Sequence, residues 1–227
     1  LDALFEEYFC DYSDDEKKEI KKKYGVERAI REAPARIRWV CIDLLKHYRE
    51  HIQPNGFKAM IVVGSRYAAT LFKKTLDELE APPSEVIVSG SHNDPAYLAQ
   101  YTDKARQKQV IGNFTKPLSE DPTAFLIVKD MLLTGFDAPI AQAMYIDRSL
   151  KDHTLMQAIA RVNRTYKGKQ AGFIVDYYGL SDQLTEALDM FSNDDTEGTY
   201  HSLKDEIPKL KAAHTRVAKL FAGVKEK

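Results

Sequence analysis

A chain of 227 residues with 44% hydrophobic and 30% charged side chains has the composition of a folded globular protein, about one and a half domains long. Its 33 basic and 34 acidic residues leave a net charge of -1, so contact with a polyanion must come from a local basic surface rather than from overall charge. No apolar run approaches the roughly 18 residues that span a bilayer, which excludes a helical transmembrane protein, and the opening LDALFEEYFCDYSDDE is too acidic and too briefly apolar to read as a secretory signal.

The chain begins at Leu1 without a methionine and reads as an internal piece of something longer. Residues 1–56 form a charged helical lead-in. Within it Asp14 to Lys23 runs from acid to base along a solvated face, and a longer helix after Pro34 carries Ile37, Val40, Leu44, His47 and Tyr48 at helical spacing until Pro54-Asn55-Gly56 ends it. Cys10 and Cys41 have no CxxC partner, so neither zinc nor a disulfide framework is expected, and a reducing cytoplasm suits the chain.

From Lys58 the pattern changes. AMIVVG (59–64) is a short β-branched run, and Ser65 then caps a helix to Glu80 with Ala68, Leu71, Phe72, Leu76 and Leu79 on one face. SEVIVSG (84–90), a polar helical segment (95–118), AFLIVKD (124–130), QAMYID (142–147), a helix at 154–165, GFIVDYYG (172–179) and a helix from about Ser181 follow. Five short strands, each apolar enough to be buried on both faces and alternating with helices, predict a parallel sheet in an α/β layer fold. This unit spans 57–191. Residues 192–227 are a polar linker (192–201) and an amphipathic helix marked by Ile207, Leu210, His214, Val217 and Phe221.

Familiar catalytic motifs are missing. There is no G-x-x-x-x-G-K-[ST] phosphate loop, no G-x-G-x-x-G, no G-x-S-x-G and no metal-spaced His or Cys pair. His92 and His153 sit beside aspartates but read as polar surface. In the helix at 154–165, Leu155, Ala158, Ile159 and Val162 point one way, while Gln157, Arg161 and Arg164 point nearly opposite. Surface arginines are usually solvated, yet a planar, permanently charged fork suits a polyphosphate. In IVKDMLLTGFDAP (127–139), Gly135 permits a turn that a side chain would hinder and Asp137 offers an acceptor. Alone, this segment reads equally as an ordinary strand connection with Leu132, Leu133 and Phe136 in the core. Its place beyond a strand's carboxyl end is where open α/β folds bind ligands.

The order of a strand ending at Gly64-Ser65-Arg66, then DMLLTGFDAP, LMQAIARVNRTYKGK and GFIVDYYG resembles the second RecA-like domain of superfamily 2 helicases, motifs IV, V and VI. The wording of the last three is similar to the motor (R) subunit of type I restriction enzymes. The resemblance covers roughly Gly56 to Leu188 and implies a RecA-like three-layer domain with a mainly parallel sheet, flanked by helical segments. It also implies half of a site for ATP and Mg²⁺, whose phosphate loop and metal ligands belong to a first RecA-like domain of the same chain.

Carried over by position, the resemblance makes Arg164 the arginine finger, Arg161 its companion and Gln157 the polar residue opening motif VI. Gly135 and Asp137 face the nucleotide and the domain interface. Ser65, Arg66, Ser89, Gly90, Ser91 and Lys129 lie on a DNA-backbone track, which needs hydroxyls and amides rather than base readout. Two departures stand out: Ala160 where glycine is common, and Val128-Lys129-Asp130 where many relatives have Ala-Thr-Asp. The second leaves Lys129, instead of a threonine, to reach a phosphate. The implied protein is an ATP-dependent translocase of double-stranded DNA, partnered by modification and specificity subunits, with no membrane role and no activity in this piece alone. The alternatives are another superfamily 2 helicase or remodeller, or a non-catalytic α/β module that binds a partner.

Overall fold

The computed structural model describes residues 12–18, 26–150 and 152–180. Five strands form one sheet in the order β2-β3-β1-β4-β5, and every pairing is parallel. They are β1 (Lys58–Val63), β2 (Ser84–Ile87), β3 (Phe125–Val128), β4 (Ala141–Asp147) and β5 (Phe173–Asp176). The helices are α1 (Val26–Arg31), α2 (Pro34–His47), α3 (Arg66–Glu78), α4 (Ala96–Thr102), α5 (Lys104–Phe114) and α6 (Asp152–Val162).

Side chains alternate across a strand, so a sheet covered on both faces divides its apolar residues between two cores. Ala59, Ile61, Val63, Phe125, Ile127, Ala143 and Tyr145 join Ile37, Cys41, Leu44, Tyr48, Phe72 and Leu76 in one cluster under α2 and α3. Their alternates Met60, Val62, Leu126, Val128, Met144 and Ile146 are equally buried on the opposite face. There α6, through buried Leu155, Ala158 and Val162, packs on β4 and β5. The result is the three-layer RecA-like α/β fold.

Strand positions agree with the sequence pattern within a few residues, but three details differ. The expected separation of a lead-in at residue 56 cuts through a continuous core: α2 and the following π-helical turn (Tyr48–Ile52) bury Ile37, Cys41, Leu44, Tyr48 and Ile52 against the sheet. Tyr48 packs its ring, tilted, 4.5 Å from that of Phe125 and donates to the Phe57 carbonyl at 2.9 Å. β5 is not buried on both faces, because it is an edge strand and Phe173 is exposed. The polar helical segment breaks at Asp103, whose carboxylate caps α5 by accepting from the Arg106 amide at 2.7 Å. As the sequence order implies, β3 and β4 are joined by a loop with no helix, which crosses β1 to reach its far side.

Ser65 caps α3 as expected, accepting from the Ala68 amide at 2.9 Å. Cys41 is free and buried, and burial pushes its thiol up to about 12. None of the helices among the described residues is long and apolar enough to cross a membrane. Cys10, the stretch 19–25, the helix from Ser181, the linker and the amphipathic segment at 207–221 lie outside the described residues, as does the side chain of His153.

Candidate functional site

Two places collect the candidate residues. The first is the junction of α6 with the loop that follows β3. Burial of Leu133, Phe136 and Ala138 anchors this loop, and Gly135 has φ +69°, a left-handed conformation that a side chain strains even though space around it is open. Leu132 is left-handed too, at φ +68°, which costs an L-residue free energy and is characteristic of a loop over-determined by its surroundings.

Arg161 supplies part of that determination. From α6 it donates Nε to the Leu133 carbonyl at 3.2 Å and Nη1 to the Phe136 carbonyl. Its guanidinium therefore braces the loop on both sides of Gly135. Arg164 lies just past the end of α6, so the helical projection that grouped it with Gln157 and Arg161 does not extend to it. It stands more than half exposed, its Nε 3.7 Å from the Asp137 carboxylate. Gln157 is exposed one turn before Arg161. Burial, and then the like charge of Arg164, push Arg161 below the ordinary arginine value. Two neighbouring guanidiniums answered by one carboxylate leave an electrostatic deficit that an incoming anion would relieve.

The second place is a groove of about 800 Å³ at the carboxyl ends of β1, β3, β4 and β5. Arg28, Arg31, Arg66, Lys129 and Arg148 line it, opposed by Glu32 and Asp147. Basic side chains thus outnumber acidic ones along the lining of a chain of net charge -1, although Asp94 and Asp130 beside it offset part of that charge. Each basic side chain is held in place. Arg66 donates to the Ser89 carbonyl at 2.9 Å and pairs with Asp94 at 2.5 Å, which ties the end of β1 to the loop after β2. Arg148 donates to the Lys129 carbonyl at 3.1 Å and pairs with Asp130, while Lys129 lies 2.9 Å from the same carboxylate. Burial works to raise the Asp130 pKa, but Arg148 and Lys129 outweigh it and hold the carboxyl below its ordinary value.

Beneath the groove, Arg36 of α2 grips the buried Asp147 with both arms of its fork, at 2.9 and 2.5 Å, and also donates to the Tyr177 carbonyl. Arg31 adds a contact at 3.9 Å and places its guanidinium 3.7 Å from the Tyr178 ring centre.

Ser65, Arg66 and Lys129 are thus brought together, although the Ser65 hydroxyl is engaged, donating to Glu32 at 2.5 Å while capping α3. Ser89, Gly90 and Ser91 are exposed in the neighbouring loop, where the Ser91 amide donates to Asp94 at 2.6 Å. Arg148 could have been found in the sequence by the same rule that singled out Ser65 and Arg66, since it follows a strand. Arg28, Arg31 and Arg36 carried no such signal, because a helical segment rich in both charges reads as solvent-facing. Among the described residues no group of three or more His, Cys, Asp or Glu is placed to hold a metal ion.

Residues 92–179 match the family described as type I restriction enzyme subunit R domain 3. Over 189 residues, 82% of this chain, the sequence is 34% identical to a Methanocaldococcus jannaschii protein provisionally named type I restriction enzyme MjaIXP endonuclease subunit. Over 186 residues, 73% of this chain, it is 32% identical to the type I restriction enzyme HindI endonuclease subunit of Haemophilus influenzae. The chain spans only 18% and 17% of the length of these two relatives. In fold it is similar to a fragment provisionally assigned as the HsdR subunit of a type I restriction enzyme from Vibrio vulnificus YJ016, with a TM-score of 0.50, 17% identity, and coverage of 66% of this chain and 29% of that one. The chain therefore belongs to the type I restriction enzyme R-subunit family, its residues 92–179 matching that subunit's domain 3.

Proposed function

We propose that this chain contributes half of an ATP site and part of a DNA track to the R subunit of a cytoplasmic type I restriction enzyme, a translocase of double-stranded DNA. The observation that carries the reading is the arginine pair beside the braced loop: Arg161 fixed to the Leu133 and Phe136 carbonyls, and exposed Arg164 facing the Asp137 carboxylate. Family membership supplies the context.

In this reading the triphosphate meets Arg164, while Arg161 keeps the loop with Gly135 and Asp137 in register against it and Gln157 adds a polar contact. The residues suit such a group, since Arg164 is exposed and faced by a single carboxylate at 3.7 Å. ATP, with Mg²⁺, supplies the transferable phosphoryl group. The chain has no phosphate loop, so that element and the metal ligands come from a first RecA-like domain. A guanidinium aimed at developing phosphoryl charge stabilises it electrostatically and is worth about 10³-fold or more in rate. In the basic groove, Arg66 and Lys129, with the hydroxyls and amides of Ser65, Ser89, Gly90 and Ser91, hold backbone phosphates without reading sequence, as movement along DNA requires. Modification and specificity subunits would complete the assembly and choose the site.

In the full-length protein, Arg164→Ala should lower DNA-stimulated ATP hydrolysis by about 10³-fold with the melting temperature unchanged. Arg161→Ala should lower it as well and, in addition, speed amide hydrogen exchange across 129–139. Full ATPase activity in Arg164→Ala would remove the finger from the proposal.

A further inference from the structure

At the mouth of the basic groove stand two large aromatic side chains that the core does not use. Tyr67, in the first turn of α3, is 44% exposed, and Tyr97, in the first turn of α4, is 47% exposed. Both line the groove. Their rings meet edge to face, with centroids 6.3 Å apart and planes at 72°. Neither faces inward with its helix's apolar residues: α3 buries Ala68, Ala69, Phe72 and Leu76, and α4 buries Leu98. The edge-to-face contact helps to orient the rings, and each residue stays nearly half exposed.

We propose that Tyr67 and Tyr97 form a stacking platform for an unpaired nucleobase, so that the groove holds single-stranded or locally opened nucleic acid as well as duplex. The inference rests on the reading of the groove as a nucleic-acid track and adds to it a preference for strand state. The chemistry is specific to that ligand. Arg66 and Arg148, oriented by Asp94 and Asp130, provide the positive edge along which a phosphate backbone runs. Aromatic rings interleaved with such cations are what sequence-tolerant binding of single strands uses, since every base has a π face. Within a duplex that face is covered by neighbouring base pairs, so the tyrosines can engage only a base that is unpaired, frayed or turned out of the stack. A double-strand groove needs phosphate contacts alone and gains nothing from two exposed rings.

The test uses the full-length protein with three DNAs of equal length: a single strand, a perfect duplex and a duplex with a short central gap, each carrying one 2-aminopurine. Stacking quenches that base, so the wild type should bind the single strand and the gapped duplex with quenching. Tyr67→Ala and Tyr97→Ala should each lower the ratio of single-strand to duplex affinity by roughly 5- to 150-fold. Tyr67→Phe and Tyr97→Phe should keep that ratio, because the ring and not the hydroxyl stacks. Thermal melting of each variant separates a merely structural pair, which would lower the melting temperature and leave the ratio unmoved; that result overturns the platform. Duplex binding that depends on Arg66 and Arg148 but shows no effect of the tyrosines on the ratio also overturns it, and leaves the track reading intact. Failure of all three DNAs to bind would sink both.

Discussion

Lys58 opens β1 with its side chain wholly buried, an unusual place for an ammonium. It survives there because Nζ lies 3.4 Å from Asp121, 3.5 Å from the Asn113 carbonyl and 5.4 Å from the centre of the Phe114 ring. Burial pushes the Lys58 pKa down and Asp121 pulls it back up. At Asp121 burial works to raise the carboxyl, but the Thr123 hydroxyl and amide, together with Lys58, hold it below its ordinary value. A carboxylate lowered in the folded state contributes stability that is complete above its unfolded pKa of about 3.9 and is lost as pH falls through the folded value. Asp121→Asn, which strands a buried ammonium, should therefore cost about 2 kcal/mol at neutral pH. Chemical denaturation at several pH values should show a constant gap to wild type between about pH 5 and 7, closing in stronger acid. A gap that persists or widens in acid would mean that the pair is not its source. The sequence conveys none of this, since a lysine at the edge of an apolar run reads as the strand's solvent end. Arg161 teaches the same lesson: its helical face was legible, but not that its guanidinium is already bonded to two loop carbonyls.

At the scale of elements, period and capping are enough to place most pieces. Ser65 announces α3, short unbroken apolar runs announce the strands, and Gly135 announces the left-handed turn it adopts. What they do not announce is contact between pieces. Gly172, just before β5, packs so tightly against the end of α6 that a Cβ there would lie 2.6 Å from the Val162 carbonyl carbon. Backbone cannot yield that distance without moving α6 or β5. Gly172→Ala should thus cost about 1–3 kcal/mol, as overpacking does, and loosen the seat from which Arg161 reaches its loop. Denaturation midpoints and hydrogen exchange of the 129–139 amides check this, and an unchanged midpoint would refute it. Asp103 shows the converse case. An aspartate in a polar helical stretch is unremarkable in sequence, yet by capping α5 it breaks one expected helix into two and lets Gln107 donate to the Val88 and Tyr101 carbonyls.

For the whole molecule, the decisive contact is that of α2 with the sheet. Ile37, Cys41, Leu44, Tyr48 and Ile52 are all fully buried. Burying each large apolar side chain is worth about 1.5–3 kcal/mol. Their sum rivals the 5–15 kcal/mol by which a typical domain is stable. A chain beginning at Phe57, the boundary drawn from composition, should therefore show no cooperative thermal transition and should bind hydrophobic dyes, whereas the full chain melts sharply. A sharp transition in the shortened chain would restore that boundary. The same helix carries Arg36 to Asp147, so the segment that completes the core also anchors the floor of the basic groove.

The sequence by itself determined the α/β class, the parallel sheet, the loop turning at Gly135 and, through its resemblance, the R-subunit family. All of these rest on local periodicity or on short runs of residues adjacent in the chain. Only the tertiary structure decided that α2 belongs to the core and that Arg28, Arg31, Arg66, Lys129 and Arg148 converge on one groove. It alone decided that Tyr67 meets Tyr97 there. The physical reason is separation along the chain. The apolar stripe of a lead-in helix does not name its partner until a distant sheet is there to cover it, and scattered charges become a surface only when strand ends bring them together.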